Sequence, residues 1–165
     1  MKKTEECLKE AFAGESQANR KYLAFAEKAN KDGFPQVARL FMAAAAAETI
    51  HAHNHLRALK GIGSTKENLL EAIGGETHEF THMYPEMIES AKAEGNKAAE
   101  RSFVYANEVE KVHAALYQKL LDGIDKPQGD YAYYICPVCG FTAEEHAPGT
   151  CPVCGAKGEM FQKVY

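Results

Sequence analysis

Ala43-Ala-Ala-Ala-Ala47-Glu48-Thr-Ile-His51 is the stretch that decides the fold. Apolar residues recur around it at three- and four-residue spacing: Val37, Phe41 and Ala44 before it, Ala58 after it. That period is a helix with one apolar face, and it places Glu48, His51 and His55 on that face. An ionised carboxylate without a partner in a core is strongly unfavourable. The stretch therefore predicts a helix whose core face binds something.

Three more helices repeat the pattern. The stripe of the first reads Leu8, Ala11, Glu15, Ala18, Tyr22, Phe25, Ala29. The third reads Leu69, Ile73, Glu76, Phe80, Met83, Met87, and the fourth Ala99, Phe103, Ala106, Glu110, His113, Tyr117, Leu120. The helix ends are written locally. Gly33 and Pro35 separate the first two, Gly61 and Gly63 end the second, and Ser64-Thr-Lys-Glu67 is a capping box opening the third. Gly95-Asn96 separates the last two, and Gly123 ends the fourth. Short connections between long helices predict an up-down-up-down four-helix bundle over residues 1–123. Within the third helix, Gly74-Gly75 and Pro85 break the pattern and predict a kink or a break.

Each helix thus carries one glutamate on its core face, and two add a histidine three residues on: Glu48-x-x-His51 and Glu110-x-x-His113. The i, i+3 spacing lets a carboxylate and an imidazole grip one ion. Glu110 follows Glu76 at the interval that separates Glu48 from Glu15, with a single residue added, which reads as a repeated helical hairpin. Two cations remove the conflict of four core carboxylates, the di-metal pattern of ferritin-like bundles. Glu79, one turn after Glu76, offers a further ligand or a solvated glutamate near the site. His55 lies on the stripe one turn beyond His51 and reads as a core residue or a neighbour of the ligands, and His53 points off that face. His82 is turned about 120° from Glu76 and reads as a decoy. Tyr22 and Tyr84 are core aromatics or hydrogen-bond partners of the carboxylates.

After a linker at 124–132 the composition changes. Residues 133–165 carry short strand-like runs and two knuckles, Cys136-Pro-Val-Cys139-Gly140 and Cys151-Pro-Val-Cys154-Gly155. Two Cys-x-x-Cys knuckles complete a tetrahedral S₄ site for zinc or iron. The fifth thiol, Cys7, stands alone and reads as a small helical residue. A module this short is too small to fold on an apolar core alone.

Composition limits the partners. The net charge is −4 with no basic block, so no nucleic-acid footprint is present. No apolar run reaches membrane-spanning length and Met1-Lys-Lys-Thr-Glu-Glu6 lacks a signal-peptide core, so a cytoplasmic protein is expected.

Over essentially its whole length the chain resembles the rubrerythrins. The matching stretches are Glu15-Ser-Gln-Ala-Asn-Arg-Lys-Tyr22, Glu48-Thr-Ile-His51, Gly75-Glu-Thr-His-Glu79, Met83-Tyr-Pro85, Glu110-Lys-Val-His113 and both knuckles. The resemblance implies a ferritin-like bundle followed by a rubredoxin-like domain. It implies reduction of hydrogen peroxide to water by a di-iron centre, as protection against oxidative stress. It implies iron ligation by Glu15, Glu48, Glu76, Glu79, Glu110 and His113, with one iron moving between His51 and Glu79 as its oxidation state changes. It also implies carboxylate-bonding roles for Tyr22 and Tyr84, and an electron-transfer iron at Cys136, Cys139, Cys151 and Cys154. The short stretch between the knuckles, Gly140 to Thr150, and the lack of tryptophan depart from free-standing rubredoxins without touching a ligand. An external donor, a rubredoxin or a reductase, is expected. The competing functions are a ferroxidase and a non-catalytic zinc module.

The last helix ends ten residues after His113, about 15 Å of helix rise. A module on a nine-residue linker, spanning at most about 30 Å, must fold back on its own helices or dock on a partner. A head-to-tail homodimer with electron delivery between subunits is the expectation, and the resemblance implies the same dimer.

Overall fold

Helix α1 (Thr4–Lys31) opens where the Glu6 carboxylate accepts the Lys3 amide at 2.9 Å, with Glu5 and Glu6 in its first turn and Lys28 and Lys31 in its last. Those charges complement the helix dipole. The computed structural model describes residues 2–126 and 129–165. Contacts divide the chain into two compact units, Met1–Gly63 and Ser64–Tyr165.

In the first unit, Gly33 at φ 82° lets the chain reverse: the Phe34 amide bonds the Ala29 carbonyl at 2.9 Å and the Gly33 amide that of Asn30 at 3.1 Å. This glycine-capped ending delivers the chain to Pro35, the first residue of α2 (Pro35–Ala58). The two helices meet along Asn19, Ala26 and Ala29 on one side and Ala38, Ala45 and Ala52 on the other, all buried. Asn19 Nδ2 donates to the Ala45 carbonyl at 2.7 Å and to Thr49 Oγ1 at 2.8 Å. The contact face lies beside the stripe read from the sequence: Ala38 is 2% exposed, while Val37 is 45% exposed. Alanines allow close backbone approach, so the hairpin forms along its small residues and the bulkier ones flank the seam.

The second unit starts with the expected capping box: Ser64 N–H and O–H reach Glu67 Oε2 at 2.7 and 2.6 Å. Helix α3 (Thr65–His78) runs through Gly74 and Gly75 without a break. A π-helical turn, Glu79–Met83, follows and leads into α4 (Tyr84–Ala93). The Tyr84 amide bonds the Glu79 carbonyl, five residues back. Pro85 explains it: proline has no amide to give and its ring crowds the carbonyl four residues earlier, so the turn before it widens. The predicted kink is therefore a π turn, and the glycines play no part in it. Gly95 at φ 68° ends α4 as Gly33 ends α1, and Asn96 Oδ1 caps the Ala99 amide of α5 (Lys97–Asp122) at 3.1 Å.

The C-terminal module is a small antiparallel sheet, order β2-β1-β3, of β1 (Tyr133–Ile135), β2 (Thr142–Glu144) and β3 (Gln162–Val164). Tyr133 pairs with Glu144 and with Val164. Part of the expected linker, residues 127–128, lies outside the described residues. The module lies against α5 of its own chain: Lys119 Nζ is 2.6 Å from Glu144 Oε2, and His113 Nε2 is 2.9 Å from Thr142 Oγ1. Within the chain the module folds back on α5, to which β2 offers an acid and a hydroxyl. Among the described residues no helix is long and apolar enough to cross a membrane.

Candidate metal centres

In Met1–Gly63, α1 supplies Glu15 and α2 supplies Glu48 and His51, and one donor atom from each lies within 4.8 Å of the others. His51 Nδ1 is 2.8 Å from Glu48 Oε2. The His51 side chain is 52% exposed and that of Glu48 17%.

In Ser64–Tyr165 the same arrangement recurs with Glu76 from α3 and Glu110 and His113 from α5. His113 Nδ1 lies 2.7 Å from Glu110 Oε2 and 3.8 Å from Glu76 Oε1. Burial raises the Glu76 carboxyl to about 7, and the neighbouring Glu110 and Glu79 charges add to the shift. Burial, then Glu110, also raises Glu79, against the pull of His78 and His113. Carboxylates this crowded, with an imidazole turned toward them, fit a cation that removes their repulsion.

Glu79 opens the π turn and is not one of the three clustered donors. Tyr84 closes that turn, and its phenol is raised by burial and then by Glu79, Glu110 and Glu76. Tyr22 packs instead with Phe25 and Phe41, its ring 6.4 and 6.0 Å from theirs. His82 stacks on His78 and touches Thr81 Oγ1, outside both donor groups. Tyr117 was visible in the stripe of the fourth helix but not singled out. Its phenol is raised by burial and by Glu76 and Glu110, and its place one turn after His113 was the available signal.

At the knuckles the four sulfurs cluster, with Cys136 Sγ 3.6 Å from Cys154 Sγ and Cys139 Sγ 3.5 Å from Cys151 Sγ. A tetrahedron with metal–sulfur bonds of about 2.3 Å has edges of about 3.8 Å, so the four thiols are set for a metal. Gly140 and Gly155, at φ 85° and 76°, make each turn. Burial raises the Cys139 and Cys154 thiols. It opposes ionisation of Cys151 as well, but the Cys154 and Val153 amides outweigh it and lower that thiol to about 7.

A repeated Glu, Glu-x-x-His donor set on paired helices, with a Cys₄ knuckle module, defines the class of non-haem di-iron carboxylate proteins that carry a rubredoxin-like domain. The comparisons name the family. Residues 6–121 match rubrerythrin and residues 134–162 match the rubredoxin-like domain of rubrerythrin. The chain belongs to the rubrerythrin family. It is 42% identical to rubrerythrin-2 of Clostridium acetobutylicum, over 96% of this chain and 95% of that one. It is 39% identical to nigerythrin of Nitratidesulfovibrio vulgaris, over 84% and 75%. Among solved structures it resembles nigerythrin in its partially reduced and its fully reduced, all-ferrous states. Each gives a TM-score of 0.60 at 35% identity, covering 99% of this chain and 88% of that one. The fold class is accordingly ferritin-like with a rubredoxin-like domain, and the cofactors are a non-haem iron pair and an iron at four cysteines.

Proposed function

We propose that this protein is a peroxidase that reduces hydrogen peroxide to water with electrons delivered through its Cys₄ iron, as protection against oxidative stress. The observation that carries the reading is the meeting of a Glu76–Glu110–His113 donor group and a Cys₄ knuckle module in one compact unit, where His113 of α5 touches Thr142 of β2. A ferroxidase draws electrons from incoming iron and needs no such module.

The reaction consumes one peroxide, two electrons and two protons and yields two waters. When bound, the iron pair supplies the electrons that break the O–O bond. The chain's own contribution is the donor set: Glu15, Glu48, Glu76, Glu110 and His113, with His51 and Glu79 as the exchangeable ligands of one iron. Tyr84 and Tyr117, whose phenols are raised by burial and by the nearby carboxylates, keep O–H groups in the neighbourhood of that charge. The division of labour follows residues 1–123 for the di-iron helices, 124–132 for the linker and 133–165 for the electron-transfer domain.

Hydrogen peroxide, an external electron donor (a rubredoxin or a reductase), a cytoplasmic location and a head-to-tail homodimer complete the reading. The contact between His113 and Thr142 of one chain supports electron delivery within a chain in place of delivery between subunits. A mixed dimer tests that step. One chain carries Cys136→Ser and Cys139→Ser, the other Glu15→Ala and Glu110→Ala. The mixed dimer is expected to stay inactive; restored turnover means the electrons cross subunits.

The reading as a whole is tested by metal analysis and anaerobic stopped-flow spectroscopy. About three irons per chain are expected, the sum of a two-metal and an S₄ site. Reduced protein is expected to be re-oxidised by one equivalent of peroxide per pair, faster than by dioxygen. Faster re-oxidation by dioxygen, with iron then accumulating, makes the protein a ferroxidase instead.

A further inference from the structure

We infer that Thr142 is a positioning residue for His113, built to hold the imidazole in either of its two neutral tautomers as the carboxylate site fills. The inference rests on the reading of Glu76, Glu110 and His113 as metal donors.

Both ring nitrogens of His113 are engaged. Nδ1 lies 2.7 Å from Glu110 Oε2, on the side of the carboxylates, and Nε2 lies 2.9 Å from Thr142 Oγ1 in β2 of the C-terminal module. The Thr142 hydroxyl has a second partner, the carbonyl of Gly140, at 3.2 Å. Gly140 directly follows Cys139, and its amide bonds the Cys136 carbonyl at 2.9 Å. The contact is packed as well as polar: a Cβ on Gly140 would meet Val109 of α5 at 3.8 Å, and Lys119 grips Glu144 two residues beyond Thr142.

A neutral imidazole has one N–H, and its other nitrogen must accept. Without metal, a nitrogen in hydrogen-bond contact with a carboxylate oxygen carries the proton, so Nδ1–H donates to Glu110 and Nε2 accepts the Thr142 hydroxyl. A metal held by Nδ1 needs that nitrogen's lone pair. The Nδ1 proton then passes to solvent, a solvent proton is taken up at Nε2, and the ring stays neutral. Nε2–H now donates to Thr142 Oγ1, and the hydroxyl turns its own hydrogen to the Gly140 carbonyl. A backbone carbonyl in place of Thr142 would satisfy only the second state. A hydroxyl satisfies both by rotation, and its second acceptor belongs to the knuckle.

The test uses the full chain with zinc kept at the cysteines, comparing the parent with Thr142→Val and Thr142→Ser. Zinc is titrated into the carboxylate site against a chromophoric chelator, and the His113 ring nitrogens are followed by ¹⁵N NMR. The parent is expected to change from Nδ1–H to Nε2–H on loading. Valine is expected to weaken zinc binding at the carboxylate site about tenfold, as loss of a ligand's supporting hydrogen bond does, and to shift the Nε2 resonance before any metal is added. Serine restores both. Equal zinc affinity in parent and valine variants overturns the proposal, as does a serine variant that behaves like valine. If the parent takes up no zinc at the carboxylates, the di-metal reading falls by itself. The metal-free Nε2 resonance then still decides whether Thr142 holds the ring, because valine either moves it or leaves it unchanged.

Discussion

The two donor groups, Glu15–Glu48–His51 and Glu76–Glu110–His113, are chemically the same and structurally unequal. His51 is 52% exposed and His113 27%. The second group has a further acid, Glu79, on a π turn, and a hydroxyl on the far nitrogen of its histidine. Among the described residues His51 has no counterpart to Thr142. A repeated motif therefore gives equal ligands, while the neighbours of each ligand set its role. The group beside the knuckle is crowded and its histidine is held on both nitrogens, whereas the histidine of the other is half-exposed.

The largest effect expected from this comparison is loss of the metal pair. Glu48→Ala and Glu110→Ala should each cut iron affinity at the carboxylate site by more than about 100-fold, beyond the loss from removing a supporting hydrogen bond. Calorimetric titration of each variant measures it. If Glu48→Ala binds like the parent, the second group works alone and the repeat is not a shared site.

A middle-sized effect concerns pH. Burial first and Glu110 second raise the Glu76 carboxyl to about 7. A group raised on folding stabilises fully below its unfolded value, near 4.5, and that stability is lost as pH rises through about 7. With zinc only at the cysteines, the protein should melt at lower temperature at pH 8 than at pH 5. Filling the carboxylate site should reverse the trend, because the cation favours the charged form. Thermal melts of Glu76→Gln should lose much of the pH dependence; an undiminished slope would place its origin elsewhere.

The smallest effect tests the proposed exchange of one iron between His51 and Glu79. Glu79→Ala is expected to slow re-oxidation by peroxide severalfold while leaving ferrous loading nearly intact, because ferric iron demands more negative charge than ferrous. Stopped-flow rates set beside ferrous titrations give both numbers. A matching loss in the two would make Glu79 an ordinary permanent ligand.

Much of this was legible in the sequence, for reasons that differ by residue. Glu48, His51, Glu110 and His113 betrayed themselves as charge on an apolar stripe, and Ser64-Thr-Lys-Glu67, Gly33 and Gly95 fixed the helix ends by local rules. The cysteines follow from spacing alone. The seam of the first hairpin lies one residue beside the stripe, because alanine fits either side of it and only packing selects Ala38 over Val37. The π turn was read as a kink, since Pro85 announces a defect without specifying its form. Thr142 was invisible: a threonine in a strand has no pattern of its own, and its role depends on a module folding back along the chain to meet His113.

The π turn also falls in the longer of the two halves of the repeat. The stretch from Glu76 to its ending glycine, Gly95, is longer by a single residue than the matching stretch from Glu15 to Gly33. From those glycines onward the halves agree, since Gly33 to Glu48 and Gly95 to Glu110 are equal in length. The odd residue therefore falls inside the helix that holds Glu79–Met83, and a turn closed by five-residue bonds is how a helix absorbs one insertion without losing phase beyond it. Glu79 opens that turn, so the extra residue and the extra acid fall in the same helix of one hairpin and leave the other without either.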